Sequence, residues 1–265
     1  MSNRRVVYVA TGEQHAQEAG ASITSLWQHN EDMPVTMYVD PDTRVSLSGL
    51  GLPLAGPLEL IDLSEATYSW GDKPLALAQV RYEQILYLDT DTRICGDIGN
   101  LFDLLTHFDL AAAHAPIRTD PRQPESIAQN VPASFPELNT GVVALRLTPD
   151  VAEFLAYWRR LHTEITQETA SGVSDQVAFR IALFESKIRF TVLTPEYNCR
   201  FIFPTYVHDG VRILHGRWPN LERIEARING VPGPRVFVPG FGVIKAAPPI
   251  LLRLQLKYHF MRRRR

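Results

Sequence analysis

Apolar residues in this chain follow two rhythms. Short unbroken apolar runs end at turn residues, and longer stretches repeat every three or four positions. Val6-Val7-Tyr8-Val9-Ala10 stops at Thr11-Gly12 and predicts a first strand. Ala19, Ile23, Leu26 and Trp27 then keep helical spacing. Residues 34–40 predict a second strand, closed by a turn at Asp40-Pro41-Asp42. A Gly/Pro/Leu-rich linker leads to a short strand at 58–63. Lys73-Pro74 opens a helix to about Tyr82, because proline suits a first helical turn. Ile85 to Leu88, an apolar run without alternation, predicts a strand buried on both faces.

The same reading predicts a helix at 98–105 and strands at 108–114 and 139–145. It predicts further helices at 150–162 and 175–183, and strands at 188–193 and 211–214. Between them, residues 115–138 carry Pro116, Pro121, Pro124, Pro132 and Pro136 and no periodicity. A loop that long is expected to act as a flap. Strands alternating with helices indicate an α/β fold with a mostly parallel sheet and crossover helices. One domain over 1–245 and a tail over 246–265 are expected. In the tail the even positions from Ile250 to Phe260 are apolar, which favours a strand.

Composition narrows the classes. At 265 residues, 45% hydrophobic and 21% charged, the chain can build one large core. A net charge of −2 gives no electrostatic footprint for nucleic acid. Cys95 and Cys199 are too few for a disulfide framework and are expected as free thiols in a reducing compartment. No apolar stretch approaches the ~20 residues of a spanning helix. A cytoplasmic protein is expected. Arg262 to Arg265, beside apolar tail residues, would allow peripheral contact with an anionic membrane face, or would be a solvated terminus.

The candidate chemistry lies at Asp89-Thr90-Asp91, where the buried strand leaves the sheet. On an extended backbone, residues i and i+2 point the same way, with Cα atoms roughly 6.6 Å apart. Like charges that close repel unless a cation stands between them, and a hard divalent ion is the natural occupant. Open α/β sheets bind ligands beyond the carboxyl ends of their strands. An ordinary turn with an Asx bond is the rival reading. Two aspartates under-coordinate a metal. His215, at the end of a predicted strand and before a glycine, is the candidate third ligand.

Residues 6–10, Leu86-Tyr87-Leu88-Asp89-Thr90-Asp91-Thr92, Asn139-Thr140-Gly141-Val142, Asp175-Gln176 and His215-Gly216 stand in the order and spacing of GT-A glycosyltransferases. The chain resembles the retaining family 8, which includes glycogenin and bacterial lipopolysaccharide galactosyl- and glucosyltransferases. The resemblance implies a GT-A fold, a mixed and mostly parallel Rossmann-like sheet. It implies transfer of a hexose from a uridine-diphosphate sugar to a carbohydrate or lipid-linked acceptor, with retention. It implies Mn²⁺ (or Mg²⁺) held by Asp89, Asp91 and His215. Ala10, Thr11, Gln14 and His15 would contact the base, His15 standing where relatives stack a ring. For Thr11 and Gln14 the rival role is helix capping. Lys73 would touch the donor sugar or phosphate, with a solvated lysine as the rival. Thr90 would lie near the donor's ribose, and Arg217 would clamp phosphate. Asn139, Asp175 and Gln176 would surround the transferred sugar, Gln176 near the anomeric carbon. Tyr197-Asn198 would line the same pocket. Gly12 departs from the acidic residue of many relatives, and Trp218-Pro219 reverses their Pro-Trp. The alternatives are a sugar-nucleotide pyrophosphorylase, whose glycine-rich basic loop Thr11-Gly12-Glu13-Gln14 lacks, and a non-catalytic nucleotide-sugar-binding protein.

Overall fold

The computed structural model describes residues 4–49, 56–117, 130–169 and 173–246, and residues 254, 257, 258 and 261 of the tail. The strand–helix alternation emerges as a seven-stranded sheet in the order β3-β2-β1-β4-β7-β6-β8. Its strands are β1 (Arg4–Ala10), β2 (Val35–Val39), β3 (Leu58–Asp62), β4 (Gln84–Leu88), β6 (Leu110–His114), β7 (Leu138–Arg146) and β8 (Phe190–Leu193). The first four pair in parallel, and β7 runs antiparallel between β4 and β6. The sheet is mixed and mostly parallel, as expected.

Side-chain alternation sorts the core into two layers. Val6, Tyr8 and Ala10 face α1 (Glu13–His29), which presents Ala16, Ala19, Ile23 and Leu26. Val7, Ile85, Tyr87, Val143 and Leu145 face α5 (Pro149–Thr169) and α6 (Asp175–Glu185), with Phe154, Trp158 and Phe179 at the centre. Trp158 and Phe179 meet edge to face at 4.9 Å, an arrangement aromatic quadrupoles favour.

Several expectations need correction. Asp40-Pro41-Asp42 starts α2 (Pro41–Gly49), where the sequence reading had a turn and linker. Asp40 caps it, its Oδ1 accepting from the Thr43 backbone N–H at 2.9 Å, and Pro41 takes the first helical position. The helix at Lys73 is α3 (Asp72–Leu77) and stops before Tyr82, and the one expected at 98–105 is the shorter α4 (Leu101–Leu104). The described tail residues Leu254, Lys257, Tyr258 and Met261 are helical and exposed. A single strand there would leave its backbone groups unpaired, whereas a helix satisfies its own. The unperiodic segment splits: Pro132 and Phe135 carbonyls accept from Arg180, and Phe135 packs against Phe184 and Phe190. Its middle, 118–129, lies outside the described residues. Among the described residues, no helix is long and apolar enough to cross a membrane.

Two small sheets add strands to the one predicted at 211–214. β5 (Thr92–Ile94) pairs antiparallel with β10 (Ile213–His215). β9 (Thr205–Val207), β11 (Arg235–Val238) and β12 (Gly242–Lys245) form a three-stranded sheet beside α7 (Leu221–Asn229). Cys199, Phe201, Val207, Leu214, Ile224, Ile228 and Phe237 close a satellite core there.

Candidate metal and donor site

The two aspartates do not sit on extended backbone, contrary to expectation. The chain leaves β4 and turns at Thr90-Asp91. The Thr92 hydroxyl donates to the Asp89 carbonyl at 2.8 Å and tightens the turn. A buried hydroxyl relay backs this bond, from Thr92 to Ser22 at 2.8 Å and on to Tyr8 at 3.0 Å. What brings in the histidine is the β5–β10 ladder, which registers His215 opposite Thr92. Gly216 N–H then donates to the Asp91 carbonyl at 2.9 Å. At φ 139° Gly216 holds a backbone conformation that side chains disfavour, and a Cβ there would lie 3.3 Å from Phe201 and Ile202.

The result is a triangle. Asp89, Asp91 and His215 each offer a ligand atom within 4.8 Å of the others. His215 Nε2 lies 3.4 Å from Asp89 Oδ2 and 3.3 Å from Asp91 Oδ1. Its other nitrogen, Nδ1, donates to Asn198 Oδ1 at 2.8 Å, so Nε2 faces the two acids. A lone pair pointed at two carboxylates is repulsive, and a cation between them would relieve it. Gly141 leaves room for it. A Cβ there would stand 2.0 Å from His215 Cε1 and 2.6 Å from Asp89 Oδ2. Carboxylate oxygens with one imidazole suit a divalent cation.

Lys73 is buried, which removes the solvated rival. Its Nζ lies 3.0 Å from Asp89 Oδ1 and 3.2 Å from Asp175 Oδ2, and donates to the Thr140 hydroxyl at 3.1 Å. Burial pushes the Asp89 carboxyl up, but Lys73, then His215 and the Tyr87 hydroxyl at 2.6 Å, outweigh it and hold the group well below the usual carboxylate range. Burial opposes ionisation of Asp91 too, and His215 outweighs it. Burial also acts against the Lys73 ammonium, which Asp175 and Asp89 restore and raise. Both aspartates are thus kept ionised, as metal ligands must be.

The sugar-side candidates form one network. Asn139 Nδ2 donates to Gln176 Oε1 at 2.6 Å, and Asn139 Oδ1 accepts from Asn198 Nδ2 at 2.9 Å and from Gly141 N–H at 3.1 Å. Gln176 Nε2 reaches Glu137 at 3.4 Å. Asp175 is buried, and its Oδ2 has an ion pair with Lys73 but no well-directed hydrogen bond among the described residues. Tyr197 parts from Asn198, its hydroxyl accepting from Asn100 at 2.5 Å.

On the base side, Ala10 closes β1 and is buried. The capping reading of Thr11 and Gln14 fails. α1 has Gly12 as its cap with no side-chain bond. The Thr11 hydroxyl instead donates to Asp72 at 2.8 Å, and Gln14 Nε2 to Glu18 at 3.3 Å. His15 is exposed and its Nδ1 donates to the Thr11 carbonyl at 2.9 Å. The Thr90 hydroxyl donates to Glu18 at 3.0 Å. Arg217 donates twice to Glu18, at 2.7 and 3.0 Å, and stands 3.9 Å from Asp91.

Sequence reasoning passed over Glu18, Tyr68 and Tyr87. Glu18 is an ordinary helix-surface acid until the fold lays Thr90 and Arg217 across it. Tyr68 is 60% exposed beside Gly12 with φ 55°, rare for a bulky residue and suggestive of function. Its hydroxyl donates to Asp40 at 3.1 Å. Burial opposes ionisation of Asp40, and Thr43, Gly12 and Tyr68 overcome it, bringing that carboxyl to about 2.

Neither a protein-family model nor the sequence of a curated protein matches the chain. Solved structures do match its fold. Mouse xyloside xylosyltransferase 1 superposes with a TM-score of 0.56 at 14% identity, over 81% of this chain and 97% of that one. The galactosyltransferase LgtC, captured with donor and acceptor sugar analogues, gives 0.54 at 17% identity, over 81% and 87%. The glycosyltransferase GlyE of Streptococcus pneumoniae TIGR4 gives 0.56 at 19% identity, over 83% of this chain and 55% of that one. The fold is that of GT-A glycosyltransferases.

Proposed function

We propose that this GT-A protein transfers a hexose from a nucleoside-diphosphate sugar, uridine diphosphate as implied by the resemblance, to an acceptor hydroxyl, with retention. The observation that carries the reading is the Asp89–Asp91–His215 triangle over the side-chain-free Gly141. A divalent cation held there would act as a Lewis acid on charge developing at the leaving diphosphate.

The protein's own residues supply the rest. Lys73 keeps Asp89 ionised and ties it to Asp175. Asn198 fixes the His215 ring so that Nε2 faces the acids. Asp175 offers acceptor oxygens to sugar hydroxyls, and Asn139 and Glu137 hold the Gln176 amide beside them. In the transfer, the bond from the anomeric carbon to phosphate oxygen breaks and its electron pair stays on that oxygen. The acceptor oxygen bonds to the anomeric carbon, and its proton passes to a phosphate oxygen.

The test is release of nucleoside diphosphate from a panel of nucleotide sugars with Mn²⁺ present. One donor is expected to turn over, and EDTA to stop it. Asp89→Asn is expected to lose at least about a hundredfold, the upper end of what disturbing a metal's outer shell costs. Turnover unchanged in EDTA or in the variant would refute the reading.

A further inference from the structure

One cation at this corner has no side-chain hydrogen bond or ion pair among the described residues. Arg200 is partly buried, and its Nε is enclosed without a hydrogen bond among the described residues. The chain places it tightly. Cys199 bridges to Leu214 and turns its side chain into the satellite core. His215 N–H donates to the Cys199 carbonyl at 3.0 Å. Side chains alternate along such a bridge, so Asn198 and Arg200 flank Cys199 toward the site. Asn198 does meet His215, and the charges of Asp91 and Asp89 reach Arg200. Burial lowers the Arg200 pKa, the two aspartates act against that, and Arg217 adds repulsion.

Charge balance shows what is missing. Lys73 is taken by Asp89 and Asp175, and Arg217 by Glu18. Arg200 is left within the field of Asp91 and Asp89, the two acids a divalent cation would claim. Once they are claimed, the guanidinium would be left among positive charges, the ion's and that of Arg217. A partly buried charge in that position favours an anion. Guanidinium donors match phosphate oxygens in geometry and are strong when desolvated.

We propose that Arg200 binds the phosphate oxygens of the nucleoside diphosphate and stabilises the negative charge gained when the sugar–phosphate bond breaks. This rests on the nucleotide-sugar reading above. The residue lies outside every segment that carried the family resemblance, and it belongs to the phosphate side of the site rather than to the sugar or base.

Calorimetry on the full chain separates the possibilities, with uridine diphosphate plus Mn²⁺, uridine plus Mn²⁺, and Mn²⁺ alone as probes. Arg200→Gln is expected to weaken uridine diphosphate by about 10- to 100-fold, the range for a lost hydrogen bond to a charged group. Uridine affinity is expected to stay the same, and Mn²⁺ alone to bind equally or more tightly, because a repelling charge has gone. Arg200→Lys keeps the charge and is expected to fall between Gln and wild type; it carries the test if the Gln variant does not fold. Unchanged affinity for uridine diphosphate in either variant, or a parallel fall for uridine, would overturn the proposal and leave the transferase reading standing. Wild type that fails to bind uridine diphosphate with Mn²⁺ would overturn both.

Discussion

At Gly141 a hydrogen stands where any other residue would place a carbon 2.0 Å from the His215 ring. Gly141 sits on β7, its carbonyl accepting from the Asp89 N–H at 2.8 Å, so the backbone cannot swing aside without breaking the sheet. Gly141→Ala is therefore expected to displace His215 while the fold persists. A misplacement of about 1 Å at a reacting centre costs on the order of a hundredfold. Donor turnover should fall by that factor with the melting temperature nearly unchanged. Wild-type turnover would show that the imidazole is not held where the structure puts it. The sequence suggested Asp89, Asp91 and His215 because residue type and strand position both bear on metal binding. It gave no role to Gly141, which stood only as part of a motif, or to Glu18; both roles come from what the fold brings against them.

Elements stand or fall by their buried polar ties. Asp109, at the mouth of β6, binds Arg146 at the end of β7 and accepts from the Arg189 backbone at 2.9 Å, ahead of β8. Burial raises its carboxyl, but Arg146 and Arg189 outweigh this and bring it to about 2. A depressed folded-state value contributes stability above the ordinary carboxylate range near ~3.9, and that contribution is lost as pH falls toward 2. Asp109→Asn should flatten the pH dependence of unfolding free energy between about pH 4 and 2, measured by urea melts. An unaltered acid limb would contradict the assignment. In the small sheet, Arg235 is 1% exposed and donates to the carbonyls of Ile228, His208, Gly233 and Asp209. Arg235→Met strands these acceptors and should cost roughly 3 kcal/mol. A chemical melt would register it, and a loss under about 0.5 kcal/mol, as for an ordinary surface change, would contradict it. The elements of the large sheet were legible because long, strongly apolar runs admit few readings. β5, β9, β11 and β12 were not, being three or four residues each and fixed by distant partners. The tail misled: its alternation favoured a strand, and its described residues are helical.

For the whole molecule, one juxtaposition underlies the function. β4 ends at the carboxyl edge of the sheet, and β10 returns from far along the chain to set a histidine beside the exiting acids. The Lys73 and Arg217 pairings lie at that corner, and the field of its two acids reaches Arg200, whose Nε has no hydrogen bond among the described residues. Order along the chain hinted at the arrangement; the β5–β10 register that realises it could not be read from residue types. The most direct measurement is anomalous diffraction at the manganese edge from crystals soaked in Mn²⁺ and uridine diphosphate. A single strong peak ligated by Asp89, Asp91 and His215, with the diphosphate on its open side, is expected. No peak at that corner, or one bound by other residues, would contradict the assignment.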